Sequence, residues 1–290
     1  MKAVKFYLLS MVAAILVSCG TTSTVPITGR SQSLLVSDEE ILSLSNQQYQ
    51  QYMSSVRPSA NATNTAVVKR VGQNLANAVV SYLRSHGLSN EVQNYAWEFN
   101  LVQDNQVNAF CMPGGKIVVF EGLLPVARDE ASLAIVLGHE IAHAVAKHSA
   151  ERISNEYRAQ YGGQLLGVVA QGAGLSTGSQ ILVSLGTSLG TSLWSSGFSR
   201  KQESEADHMG LIFAAMAGYD PQVAVTFWER MAAQSGSSGG LFSDHPSDEK
   251  RIKDIKSWLP EAKKYFKKQS IRISSSSQQP VKTIHISSKK

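Results

Sequence analysis

His139-Glu140-Ile141-Ala142-His143 is the stretch on which the reading of this chain turns. It lies in a run beginning near Asp129, where Ala131, Leu133, Ala134, Leu137, Ile141 and Val145 recur at helical spacing, so a helix is expected to about His148. Positions four apart on a helix lie about 40° from each other around the axis, so both imidazoles project from one face, one turn apart, and can share a metal ion. Glu140 is displaced by a single residue. That sets its carboxylate beside such an ion rather than on it, where a base for an activated water must stand.

Two histidines do not complete a catalytic zinc site, which takes three protein ligands and leaves a fourth position open. A third histidine six residues after His143 is ruled out, because Ser149 holds that place. His148 is one residue off, and on a continuous helix it falls on a different face, which makes it a polar or interfacial residue. The better source is Glu203-Ser204-Glu205-Ala206-Asp207, where Glu203 and Asp207 stand one turn apart on a helix expected from about Lys201 to Ala217. Glu203 is then the third ligand, and Asp207 accepts a hydrogen bond from the outward ring nitrogen of a ligand histidine. Glu205 points elsewhere. Taken alone, the same run reads as a solvated acidic helix start favoured by the macrodipole, and only the upstream histidine pair ranks the ligand reading first.

Upstream of this centre, Ser37 and Glu40 form a capping box, followed by Ile41, Leu42, Leu44, Tyr49, Tyr52 and Met53 at helical spacing. A second helix is expected over about Thr65 to Ser85, with Gly87 as its stop. Tyr95, Trp97, Phe99 and Leu101 alternate with polar residues, the period of a strand with one buried face. Gln106 to Met112 and Lys116 to Phe120 read as two further strands, joined as a hairpin by Pro113-Gly114-Gly115. Cys111, between strand and turn, reads as a small packed residue rather than a reactive thiol. Downstream, Gly162 to Gly197 has no charged residue; a buried helical hairpin over the active-site side is preferred there to a mobile lid or membrane insertion. Asp220-Pro221 is expected to start a helix to about Met231, and Ser247 to cap a last one containing Arg251, Ile252, Ile255 and Trp258.

With 43% hydrophobic and 17% charged residues, the 290-residue chain has the composition of one globular domain with appendages, which excludes a disordered or fibrous protein. Residues 1–18 read as a signal peptide, with Lys2 and Lys5 ahead of the apolar stretch Phe6 to Val17. Leu16-Val17-Ser18-Cys19-Gly20 resembles a bacterial lipobox, which implies lipidation at Cys19 and an anchor in a cell-envelope membrane. Residues 19–36 then form a polar tether, 37–260 the folded domain, and 261–290 a basic, disordered tail. No recognition motif accompanies that basic tail, so no nucleic-acid partner is expected. Only Cys111 remains besides Cys19, and one thiol makes no internal disulfide.

These motifs together resemble the gluzincin metalloprotease family that includes CAAX prenyl proteases and the heat-shock protease HtpX, in its bacterial periplasmic lipoprotein branch. The resemblance runs from Pro26-Ile27-Thr28-Gly29-Arg30 through Asn108-Ala109-Phe110, Pro113-Gly114-Gly115, Gly122-Leu123-Leu124, His139 to His143, and Glu203 to Asp207 with Gly210, to His245-Pro246 and Arg251. It implies an α+β, zincin-like fold, mainly helical, with a small sheet whose edge strand flanks the active-site helix. It also implies one zinc held by His139, His143 and Glu203, with Glu140 as catalytic base and His245 near the metal, where a histidine could bind the oxyanion. The strand at Asn108 and Ala109 resembles the edge that pairs with an extended substrate. The expected function is hydrolysis of peptide bonds in unfolded or misassembled envelope proteins by a membrane-anchored enzyme facing the periplasm. The rival is a chaperone-like assembly factor that keeps the zinc fold but cuts little.

Overall fold

A computed structural model describes residues 21–161, 197–235 and 249–277. Its elements follow the chain as β1 Thr21–Thr24, β2 Ser31–Leu34, α1 Asp38–Ser55, α2 Ala62–Ser85, α3 Ser89–Val92, β3 Glu98–Val102, β4 Ala109–Met112 and β5 Lys116–Phe120. After these come α4 Leu124–Ala127, α5 Glu130–Val145, α6 His148–Tyr161, α7 Arg200–Met216, α8 Val223–Ser235 and α9 Glu249–Ser277. The result is the mainly helical α+β arrangement expected.

Local signals act where the residues put them. The Ser37 hydroxyl accepts from the Glu40 backbone N–H while the Glu40 carboxylate accepts from the Ser37 N–H, so the capping box of α1 is closed. Asp129 caps α5 by accepting from the Ser132 N–H at 2.7 Å. The β4–β5 hairpin turns at Gly114 and Gly115, both at positive φ, which side-chain-bearing residues rarely adopt. β5 is central: it pairs antiparallel with β4 and parallel with β3, giving the order β3-β5-β4. Its Lys116-Ile-Val-Val-Phe120 run is buried throughout, as a central strand requires. Among the described residues β4 therefore ends the sheet, and α5 packs directly on it.

α5 departs from the amphipathic pattern. Nearly every residue from Ser132 to Val145 is buried, because α2, α7, α8 and β4 surround it. Among the described residues the α5–α7 contact is the most extensive, and it is made possible by Gly138 facing Gly210. A methyl at Gly138 would lie 2.7 Å from the Gly210 carbonyl oxygen, and one at Gly210 would lie 2.6 Å from the His139 backbone nitrogen. Both obstacles are backbone, so the helices would have to move apart. We expect Gly210→Ala to cost about 1–3 kcal/mol of stability through this overpacking. Urea unfolding checks it, and an unchanged midpoint would show that the two helices have slack.

Three sequence expectations are corrected. The expected tether of residues 19–36 is not free over its described part, from Thr21 on: Thr21–Thr24 pairs antiparallel with Ser31–Leu34, and Val25 at the turn is fully buried, so folded structure is present before Ser37. The tail does not begin at residue 261. α9 runs through Pro260 to Ser277, because Leu259 and Ala262 are buried in the main core and anchor the helix on either side of the proline. Third, α5 ends at Val145 rather than near His148, since Lys147 takes a left-handed φ of 55° that a continuing helix does not allow, and His148 opens a separate helix, α6. The reading of Gly162 to Gly197 as a buried hairpin, and of Ser247 as a cap, lies outside the described residues apart from Gly197 itself.

Candidate metal centre

The centre is assembled from α5, α7 and α9. α5 projects His139 and His143 from one face, one turn apart, and α7 crosses it close enough, at the Gly138–Gly210 contact, to bring Glu203 opposite both. His139 Nε2 and His143 Nε2 are 3.0 Å apart, and each is 3.5 Å from a Glu203 carboxylate oxygen. These three are the residues that could hold a metal ion among those described. Zinc bonds of about 2.0–2.2 Å at tetrahedral angles place ligand atoms roughly 3.3–3.5 Å from each other. The two separations to Glu203 meet that requirement and the His139–His143 separation is a few tenths of an ångström short of it, a small opening of the two imidazoles; two imidazoles with one carboxylate are donors suited to zinc.

Asp207, one turn after Glu203, accepts at Oδ1 from His139 Nδ1 at 2.9 Å. That contact leaves His139 Nε2 as the ring's inward nitrogen. Arg251 of α9 clamps the same carboxylate from the other side, Nε to Oδ2 and Nη2 to Oδ1, both at 2.7 Å. Its guanidinium lies 3.7 Å from the centre of the Trp228 ring and reaches Glu203 at 3.4 Å. Burial would push Asp207 upward, but Arg251 and then His139 hold it below the usual carboxylate range. For His139, burial pulls downward and is outweighed by Asp207 and Glu203, which raise it to about 9, so a metal ion there competes with a proton.

His143 has a different outer partner. Its Nδ1 meets His148 Nδ1 at 2.9 Å, and His148 Nε2 meets Glu205 Oε2 at 3.0 Å. His148 was expected as a polar or interfacial residue on a different face from the ligand histidines; it stays outside the donor triangle but packs against His143. The left-handed Lys147 turns it back against His143, and it is fully buried. Burial, opposed by Glu205, lowers its pKa, so it stands neutral. Glu205 does point away from the donor triangle; burial would raise it, but His148, Thr28 and Arg30 bring it down to about 2.

Glu140 is buried on the β4 side of α5, where its charge, after burial itself, pushes the Cys111 thiol well above its ordinary value. Cys111 is a packed thiol with no thiolate character. Asn108 lies just before β4. Its carbonyl accepts from Phe120 N–H at 3.1 Å, and its side-chain Oδ1 accepts from the Ala109 N–H at 2.9 Å. His245 and Cys19 lie outside the described residues. The roles of Arg251 and His148 escaped the sequence reading. Arg251 stood in a recognised motif but had no assigned partner, and nothing in the residues around Lys147 announces a left-handed backbone.

The sequence model of peptidase family M48 matches residues 44–259 of the chain. Among curated proteins, the chain is 43% identical over 170 residues to the mitochondrial metalloendopeptidase OMA1 of Schizosaccharomyces pombe, covering 57% of this chain and 48% of that protein. It is 29% identical over 245 residues to the human mitochondrial metalloendopeptidase OMA1, covering 82% and 46%. It is 27% identical over 215 residues to the beta-barrel assembly-enhancing protease of Escherichia coli strain K12, covering 71% and 42%. The chain thus spans about half the length of these relatives or less.

Proposed function

From the premise that the chain belongs to peptidase family M48, we propose that it is a zinc metalloendopeptidase acting on unfolded or extended polypeptides. The donor triangle of His139, His143 and Glu203 is the observation that carries this reading. What zinc supplies when bound is Lewis acidity, which polarises a scissile carbonyl and makes a water acidic near neutral pH. The protein does the rest. Asp207, itself gripped by Arg251, holds His139 in the tautomer that presents Nε2. Glu140 accepts a proton from the attacking water and returns it to the leaving amine nitrogen. His245, in the His245-Pro246 pair, donates to the developing oxyanion.

Substrate would be read through its backbone along β4, whose position at the end of the sheet and on α5 supports pairing at Asn108 and Ala109. Such pairing displaces the Asn108 side chain from the Ala109 N–H. The LVSCG run supports lipidation at Cys19 and an envelope location facing the periplasm, with misassembled envelope proteins as substrates; among the described residues no helix is long and apolar enough to cross a membrane. Burial of the donors, of Glu140 and of Ala109 favours a second reading, in which the site is held latent and the protein serves as a chaperone-like assembly factor.

Purified protein is expected to contain one zinc per chain and to cleave reduced casein, to stop on chelation, and to resume when zinc is restored. A folded protein that takes up no zinc would sink the proposal. Zinc-loaded protein that binds casein without cutting it would favour the latent reading.

A further inference from the structure

A network behind His143 has no part in the chemistry above. It links the metal centre to the β1–β2 hairpin. We infer that His148 and Glu205 are positioning residues for His143, clamped by Thr28 and Arg30, so that the β1–β2 hairpin is a working component of the metal site. This rests on the reading of His143 as a metal ligand.

The proton positions follow from the partners. His143 presents Nε2 to the other donors, so Nδ1 carries the ring proton and donates to His148 Nδ1 at 2.9 Å. His148 must accept there, which puts its own proton on Nε2, 3.0 Å from Glu205 Oε2. Glu205 is an acceptor only, and it is oriented by Arg30 Nε at 2.7 Å and by the Thr28 hydroxyl on its other oxygen. Arg30 is fixed in turn by Glu151, which also accepts from Gln202 at 2.8 Å. A carboxylate thus orients each metal histidine: Asp207 directly for His139, and Glu205 through one imidazole for His143.

The hairpin is built to hold this position. Its turn closes with the Val25 N–H donating to the Arg30 carbonyl at 2.8 Å, and Ile27 and Gly29 both adopt left-handed φ values of 68°. One strand further, the buried Gln32 side chain donates to the Ala146 carbonyl at 3.0 Å, just past the end of α5. The hairpin therefore grips both the C-terminal end of the metal-bearing helix and the Glu205 carboxylate. Removing an outer partner of a metal histidine ordinarily lowers metal affinity about 10–100-fold.

The test uses the full chain loaded with zinc, with three variants. His148→Phe keeps a ring but has no hydrogen-bonding atom; His148→Gln offers an amide oxygen to His143 and an amide nitrogen toward Glu205; Arg30→Met removes the hairpin's charged hold on Glu205 and leaves it the Thr28 hydroxyl. Zinc affinity is read by competition with a chromophoric chelator, ligand geometry by the visible spectrum of the cobalt-substituted protein, and folding by circular dichroism. We expect His148→Phe to lose about 10–100-fold in affinity with an altered cobalt spectrum. His148→Gln should recover most of both, and Arg30→Met should fall between. A folded His148→Phe with wild-type affinity and spectrum overturns the inference while leaving the metal site standing. Should His148→Phe fail to fold, Arg30→Met takes its place, and wild-type affinity in that folded variant overturns the inference equally. Wild-type protein that binds no zinc overturns the metal reading and this one together.

Discussion

Glu140→Gln is expected to lower cleavage of an unfolded protein by roughly 10³-fold or more while leaving the fold and zinc content unchanged. Glutamine has nearly the same volume and helix preference, so the packing of a residue buried between α5 and β4 is kept. What it loses is the ability to accept a proton. General acid–base assistance contributes about 10²–10⁴-fold at a single step, and Glu140 serves two, taking the proton from water and delivering it to the amine. The donor triangle does not include Glu140, so metal affinity is untouched. Cleavage, melting temperature and zinc content on the same preparations decide the matter. Undiminished cleavage by Glu140→Gln would remove this residue from the mechanism.

The second large effect concerns metal retention. Glu203→Ala and His139→Ala should each release zinc, because each deletes one corner of a three-cornered site. Zinc sites of this kind bind with about 10–16 kcal/mol in all; divided over three donors, the loss of one amounts to roughly 10²- to 10⁴-fold in affinity. His139→Ala has the further consequence of taking from the buried Asp207 its imidazole partner and leaving it to the Arg251 guanidinium. Glu205→Ala makes the informative contrast, since Glu205 lies only two residues from Glu203 but points to His148, Thr28 and Arg30. It should keep measurable zinc where Glu203→Ala keeps none. Metal analysis of the three purified proteins after desalting is the measurement, and wild-type zinc in Glu203→Ala would cancel its assignment as third ligand.

Much of the local structure was legible from the residues. The i, i+4 spacing of His139 and His143 is a property of one helix, as is that of Glu203 and Asp207, so each pair could be placed on its face without knowing what lay opposite. The caps at Ser37 and Asp129 and the turn at Gly114-Gly115 are likewise decided within three or four residues. The strand pairing was legible only in part. A hairpin follows from the turn, but the parallel pairing of β3 with β5 joins segments that the turn does not connect.

What the sequence by itself determined about this protein is the repertoire at its centre: two imidazoles and a carboxylate in matching registers, a neighbouring Glu140, and an Asp207 one turn from Glu203. What only the tertiary structure decided is how those groups are held. Arg251 reaches Asp207 across 44 positions of chain, and Thr28 reaches Glu205 across 177. His148 joins the network because Lys147 adopts a left-handed φ that its side chain does not favour, and so does not advertise. The physical reason is one of range. Periodicity, capping and turn chemistry act between residues a few positions apart, whereas a buried charge is satisfied by whichever partner the folded chain brings within 3 Å of it, from any distance along the sequence.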